Sequence, residues 1–187
     1  MLKQVLWSGG LDSTYMIYKY LQEHHSVEAY YIEIKNNKEK TKRELKAIKE
    51  LCKLFKNYAF EYKGILSDFS LNIIDDNISN FYQSPFWITS AYYLKGPVSI
   101  GYIMNDDSIS YLQDYKNIVT SYNKLRNPPL KLEFPLYKLN KQYIMKALPK
   151  EYLKHITYCE GTEKSPCGKC HSCIRYKTIM NENNCTS

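Results

Sequence analysis

Apolar and polar positions along the chain switch between a period of two and a period of about 3.6, and the switching predicts strand followed by helix several times over. Lys3–Trp7 reads as a first strand, Asp12–Glu23 as a helix with Met16, Ile17, Tyr20 and Leu21 on one face, and Val27–Ile34 as a strand rich in Val, Ile and Tyr. Glu39–Lys56 carries Leu45, Ile48, Leu51, Cys52 and Phe55 at helical spacing, and Asn57–Tyr62 reads as a third strand. Lys63–Ser84 has no clear period and is taken as a connecting segment with a short helix near the site. Pro85–Leu94 suits a helix with proline in its first turn, and Pro97–Ile103 holds a short strand. A polar loop at Asn105–Ser108 leads to a helix at Tyr111–Leu125, a Pro128-Pro129 break, an extended Leu130–Leu136 and a helix at Asn140–Leu148. Strands alternating with helices predict an α/β fold with a doubly wound parallel sheet and a ligand crevice at the carboxyl ends of its strands. Residues 1–150 are assigned to this domain, and 151–187 to a small C-terminal metal-binding element.

The first strand runs straight into Ser8-Gly9-Gly10-Leu11-Asp12-Ser13-Thr14, and a helix follows at once. Strand, glycine turn and helix start together make an anion site, because successive N–H groups and the positive helix end point at one oxyanion. Ser8 and Ser13 add hydroxyl donors, while Asp12 suits a Mg²⁺ ion that neutralises a polyphosphate, or orients the loop. Neither a Walker loop nor a dinucleotide fingerprint is present. The segment resembles the PP-loop of the ATP pyrophosphatase superfamily, whose members cleave ATP between the α and β phosphates. That resemblance makes Ser8, Gly9, Gly10, Leu11, Asp12, Ser13 and Thr14 the candidate ATP-binding residues, joined by Gly101, where a strand passes close to a ligand or a neighbour.

Near the other end, Cys159, Cys167, Cys170 and Cys173 fall within fifteen residues, among Gly161, Pro166 and Gly168. Four thiols at this spacing read as a closed, structural Zn²⁺ site, with an iron–sulfur cluster or redox thiols as alternatives. His171 lies between ligands and reads as their exposed neighbour. Cys52 reads as core packing, Cys185 as a tail thiol, and His24 and His25 as the cationic end of the first helix.

Composition alters this picture little. The chain has 187 residues, enough for one domain with a real core and a small appendage. Its 19 tyrosines are treated mostly as amphipathic packing. The formal charge is +7, but four thiolates and one Zn²⁺ would lower it by about two. Much of the remainder lies between Lys35 and Lys49, where Glu39 with Arg43, Lys40 with Glu44, and Lys46 with Glu50 form i,i+4 pairs expected on a solvated helix. That argues against direct nucleic-acid binding. With no leader and no spanning apolar run, the expected compartment is the cytoplasm, with no membrane partner.

The loop at one end and the cysteines at the other resemble the 7-cyano-7-deazaguanine synthase (QueC) family. Three further stretches carry the likeness: Ile100-Gly101-Tyr102 through Asp107-Ser108-Ile109-Ser110-Tyr111, then Phe134-Pro135-Leu136 with Leu139-Asn140-Lys141, and finally Thr157–Cys173. The resemblance implies adenylation of a deazaguanine carboxylate, 7-carboxy-7-deazaguanine, by ATP with Mg²⁺, then capture by ammonia to give amide or nitrile. It implies Asp12, Ser13 and Lys141 as catalytic residues, with Lys141 toward phosphate. Asp107 would either bind the amidine edge of the substrate or cap the segment after it, and Tyr111 would either meet its ring or serve as ordinary packing, the reading favoured among so many tyrosines. A homodimer is the assembly common in such families. Two departures stand out: Tyr111 is followed by Leu112-Gln113-Asp114-Tyr115 where the family has Pro-Asp-Cys-Arg, and Gln83-Ser84-Pro85-Phe86 replaces Pro-Gly-Arg-Asn. They fit a diverged member, such as the QueC-like proteins of antiviral defence operons, which are expected to join the deazaguanine to an amine on a protein. A zinc-bearing binding module with an inert nucleotide loop is the reading from another class.

Overall fold

Side chains of the central strands alternate between two cores, one on each face of the sheet. On β1 (Leu2–Leu6) Val5 packs into one core and Leu6 into the other; on β2 (Ser26–Ile34) Val27, Ala29 and Tyr31 face one way and Tyr30, Ile32 and Ile34 the opposite way. Burial on both faces is what a parallel sheet covered by crossover helices requires. The computed structural model describes residues 1–34, 37–69, 83–104 and 106–184. With β3 (Phe60–Phe69), β4 (Pro97–Ser99) and β5 (Lys131–Glu133), five parallel strands take the order β3-β2-β1-β4-β5. The chain winds outward from β1 to β3, then returns to pair β4 on the other side of β1, so a switch point falls between β1 and β4.

One face carries α1 (Leu11–Gln22), α2 (Lys38–Phe55), α5 (Lys141–Ala147), α6 (Lys150–Leu153) and the buried Ile179 of α7 (His171–Asn184). The other carries α3 (Ser84–Ala91) and α4 (Leu112–Tyr122), which follows a short 3-10 helix over Asp107–Tyr111. The expected α/β doubly wound sheet is therefore the observed fold. Among the described residues no helix is long and apolar enough to cross a membrane.

Two expectations need correction. Lys63–Phe69, read as connecting segment, continues β3, which itself starts at Phe60 rather than Asn57. It was hidden because β3 is the sheet edge, with alternate residues left toward solvent, and because the pairing slips between Tyr62 and Ile65, where Gly64 adopts φ +91°. A bulge interrupts the period of two on which a strand is recognised. The second correction concerns α2, whose Lys40, Arg43 and Glu44 do not form a solvated face, as described below. Lys35, Asn105, Cys185 and the 70–82 part of the connecting segment lie outside the described residues.

Leu51 and Phe55 of α2 are fully buried beneath Trp7, whose ring meets Phe55 edge-on. Leu51→Ala is expected to lower the unfolding free energy by about 2–5 kcal/mol, read from urea denaturation at constant m-value.

Candidate functional site

Between β1 and α1 the chain turns at Gly9, which adopts φ +71°. A Cβ there would lie 3.0 Å from Ala47 Cβ and 3.2 Å from the Glu44 carbonyl oxygen, so the loop is pressed against α2. Gly10 caps α1 without a side-chain bond, and the first helical bond is Thr14 N–H to the Gly10 carbonyl at 3.1 Å. The amides of Leu11, Asp12 and Ser13 precede that bond and have no acceptor within the helix, and the helix dipole adds to their positive potential. Trp7 Nε1 donates to Thr14 Oγ1 at 3.0 Å, tying the strand end to the first turn. Thr14 and Leu11 thus have buried side chains that shape the loop.

Asp12 and Ser13 face a cavity of about 500 Å³, within the size range of small-ligand sites. The buried Asp12 Oδ1 and Ser13 Oγ have no hydrogen-bond partner. Buried polar atoms normally are paired, and these two belong to residues that line the cavity at the start of α1. Asp12 Oδ2 meets Lys141 Nζ at 3.2 Å. Burial pushes the Asp12 carboxyl up, and the Lys141 cation opposes that shift. Lys141 opens α5, whose cap Asn140 accepts from the Tyr143 amide at 2.8 Å.

Beyond β4, Gly101 answers the question of its neighbour: a Cβ would stand 3.1 Å from the Ser13 nitrogen, so the chain passes directly against the start of α1. Asp106 accepts from the Ile103 amide at 2.9 Å and fixes the following turn. Asp106, Asp107 and Ser108 border the cavity. Tyr111 does not; it is 40% exposed at the end of the 3-10 helix. Ile32, Ile34, Trp87 and Tyr102 give the cavity an apolar side suited to a planar ring.

The side chains missed from sequence lie on α2. Lys40 and Glu44 line the cavity, and neither pairs with the other. Lys40 Nζ meets Glu160 at 2.5 Å, while Glu44 accepts from the Tyr31 hydroxyl at 2.6 Å. Arg43 donates to the carbonyls of Cys159, Gly161 and Glu163. Glu39 pairs instead with Lys42, and Glu50 with Lys53. One signal was available: positions 40, 43 and 44 continue at helical spacing the stripe of Ala47, Ile48, Leu51 and Phe55, and so face inward with it.

The cysteine segment is fastened to the loop itself. Thr157 N–H donates to the Gly9 carbonyl at 3.0 Å, and Gly10 and Thr157 form a parallel bridge. Tyr158 stacks on Tyr176 of α7 with ring centres 3.9 Å apart. The ligand sulfurs of Cys159, Cys167, Cys170 and Cys173 all lie within 4.8 Å of one another, with Cys167 and Cys173 3.9 Å apart. Sulfurs around a tetrahedral Zn²⁺ stand ~3.8 Å apart for a Zn–S bond of ~2.3 Å, so this donor set fits one such ion. The amides of Gly161 and Cys167 each donate to Cys159 Sγ at 3.3 Å, and two backbone N–H bonds hold the Cys167 thiol down at about 6. Gly168, at φ +74°, makes the turn between Cys167 and Cys170. By contrast, burial pushes the lone Cys52 up to about 11, as suits a packed thiol.

Fold and site together define a doubly wound parallel α/β domain in which a glycine-turned strand-to-helix loop borders a cavity and four cysteine sulfurs stand where they could hold one metal ion. No known family profile matches the chain, and no curated protein matches it. Among solved structures, one described as a predicted subunit of tRNA methyltransferase from Methanocaldococcus jannaschii is similar. It is 17% identical, with a TM-score of 0.54, over 78% of this chain and 72% of that one. At that identity the likeness speaks for the fold.

Metal analysis of the purified protein is expected to give about one zinc per chain. Cys173→Ser should lower both the zinc content and the thermal midpoint, whereas a folded chain holding only traces of metal would exclude a structural ion.

Proposed function

We propose that this protein activates a carboxylate with ATP, releasing pyrophosphate, and passes the acyl group to an amine. The observation that carries the reading is the pair of orphaned polar atoms, Asp12 Oδ1 and Ser13 Oγ, beside unbonded helix-start amides in one cavity. The amides and the Ser8 and Ser13 hydroxyls bind phosphate oxygens. Carboxylates of Asp12, Glu44, Asp106, Asp107 and Glu160 outnumber the lysines Lys40 and Lys141 on the wall, so a polyphosphate here needs a divalent counter-ion. Asp12 is the carboxylate assigned to Mg²⁺ in this reading, and its unpartnered Oδ1 supports that role. When bound, the ion supplies charge neutralisation on the leaving pyrophosphate. Lys141 restrains Asp12 and adds positive charge beside the loop.

Attack on the α phosphorus needs alignment and electrostatic stabilisation more than a protein nucleophile. The apolar wall of Ile32, Ile34, Trp87 and Tyr102 suits the flat rings of the reactants, and Asp107 suits an amidine edge. The proposed substrate is a 7-deazaguanine-type carboxylate, on the strength of the sequence resemblance.

Incubation with ATP, Mg²⁺ and 7-carboxy-7-deazaguanine, with and without ammonium, tests this. Pyrophosphate release with an amide or nitrile product is the expected result; release without either product points to another amine as acceptor. Failure to bind nucleotide or release pyrophosphate would overturn the reading. Ser13→Ala and Asp12→Ala are each expected to cut the release rate by about 10²–10³-fold, the cost of removing a preorganised group that stabilises developing charge.

A further inference from the structure

A smaller lobe of about 160 Å³ adjoins the main cavity, between Gly10 and Asp12 on one side and Lys40, Glu44 and Glu160 on the other. Its two lysines are already engaged, Lys40 with Glu160 at 2.5 Å and Lys141 with Asp12 at 3.2 Å. Glu44 differs. Among the described residues no cation stands within ion-pair distance of it, and its Oε2 accepts from the neutral Tyr31 hydroxyl at 2.6 Å. Asp12, whose Oδ1 has no hydrogen-bond partner, borders both lobes, so the smaller one adjoins the Ser8–Thr14 loop.

Resting on the carboxylate-activation reading above, we propose that this lobe is the amine subsite and that Glu44 receives the proton of the attacking nitrogen. As the nitrogen bonds to the activated carbonyl carbon, the bond from that carbon to the AMP oxygen breaks and AMP leaves with the electron pair. The proton lost by nitrogen goes to the Glu44 carboxylate and then to solvent. Several features suit this role. Glu44, with no cation of the described residues within ion-pair distance, is open to a neutral amine, while Lys40 and Lys141 each have an ion-pair partner of their own. A lobe of this size admits ammonia or the end of a primary amine chain, since water occupies about 30 Å³ in the liquid. Burial pushes the Glu44 carboxyl up, against the opposing pull of Lys40 and Tyr31, and a proton acceptor works better as its affinity approaches the working pH.

The test separates the two half-reactions on the full chain, with 7-carboxy-7-deazaguanine and Mg²⁺ in both. ATP–pyrophosphate exchange without amine reads activation; amide formation with ammonium chloride or methylamine reads capture. Glu44→Gln keeps the size of the side chain and an oxygen for Tyr31. It is expected to lower amide formation by about 10²–10⁴-fold, with a far smaller change in exchange. Glu44→Asp retains a carboxylate and should recover part of the loss; it also carries the comparison if Glu44→Gln fails to fold, read by its thermal midpoint. Equal losses in exchange and capture would assign Glu44 to the nucleotide–metal site and overturn the proposal, as would an amide rate close to that of the unaltered protein. Absence of exchange in the unaltered protein overturns the activation reading, and the subsite falls with it.

Discussion

Three backbones meet around the Ser8–Thr14 loop at van der Waals distance, and they can meet only because Gly9 and Gly101 have no side chains. On one side the loop lies against Ala47 and the Glu44 carbonyl of α2; on the other, the chain leaving β4 lies against the Ser13 nitrogen. Added Cβ atoms at 3.0 and 3.1 Å would have to displace backbone or a packed helix, which the interior resists. This close fit places the start of α1 at the switch point between β1 and β4, where its free amides face an open crevice. It also brings the N-terminal half of α2 to the wall, so the residues that shape the loop and those that line the cavity share one helix.

Electrostatics follows from that crowding. A carboxylate as enclosed as Asp12 is costly unless a cation stands by, and Lys141 supplies one at the first turn of α5. The pairing satisfies only one oxygen, leaving Oδ1 and the neighbouring Ser13 hydroxyl to a ligand. Lys40 is similarly matched with Glu160. With both lysines matched, the remaining carboxylates give the cavity an excess of negative charge, which distinguishes it from a simple phosphate pocket built of lysine and arginine. In the proposed reaction, a divalent ion carried in with the polyphosphate would reconcile the loop with this acidic wall.

The fold and the centre of the site were legible wherever local pattern and chemistry coincide. Ser8–Thr14 showed the strand-to-helix transition, and the four closely spaced cysteines do come together as one set of possible metal ligands. Legibility failed where tertiary context overrules the local pattern. The second half of β3 escaped because an edge strand with a bulge at Gly64 lacks a clean period. Lys40, Arg43 and Glu44 were read through i,i+4 charge pairing, which correctly describes an isolated helix. In the folded chain Glu44 is met by Tyr31 of a neighbouring strand, while Lys40 and Arg43 find partners among residues 159–161 and 163, more than a hundred positions away, where no local rule reaches. Gly101 was noticed as a close approach, but only the structure shows that its neighbour is the loop itself.

The cysteine element lies directly against the Ser8–Thr14 loop. Cys159 borders the smaller lobe, Thr157 is bonded to Gly9, and the intervening chain carries Glu160 to Lys40. Short, irregular segments such as 159–167 have few backbone bonds of their own, so their position must be set from outside. Here it is set from two ends: Arg43 and Asn37 hold the carbonyls of Cys159–Glu163 against α2, and the four sulfurs draw the rest together. An ion held at the sulfurs would fix Cys159, through it Glu160 and the position of Lys40, and so the wall that stands opposite the loop, with no open coordination position required.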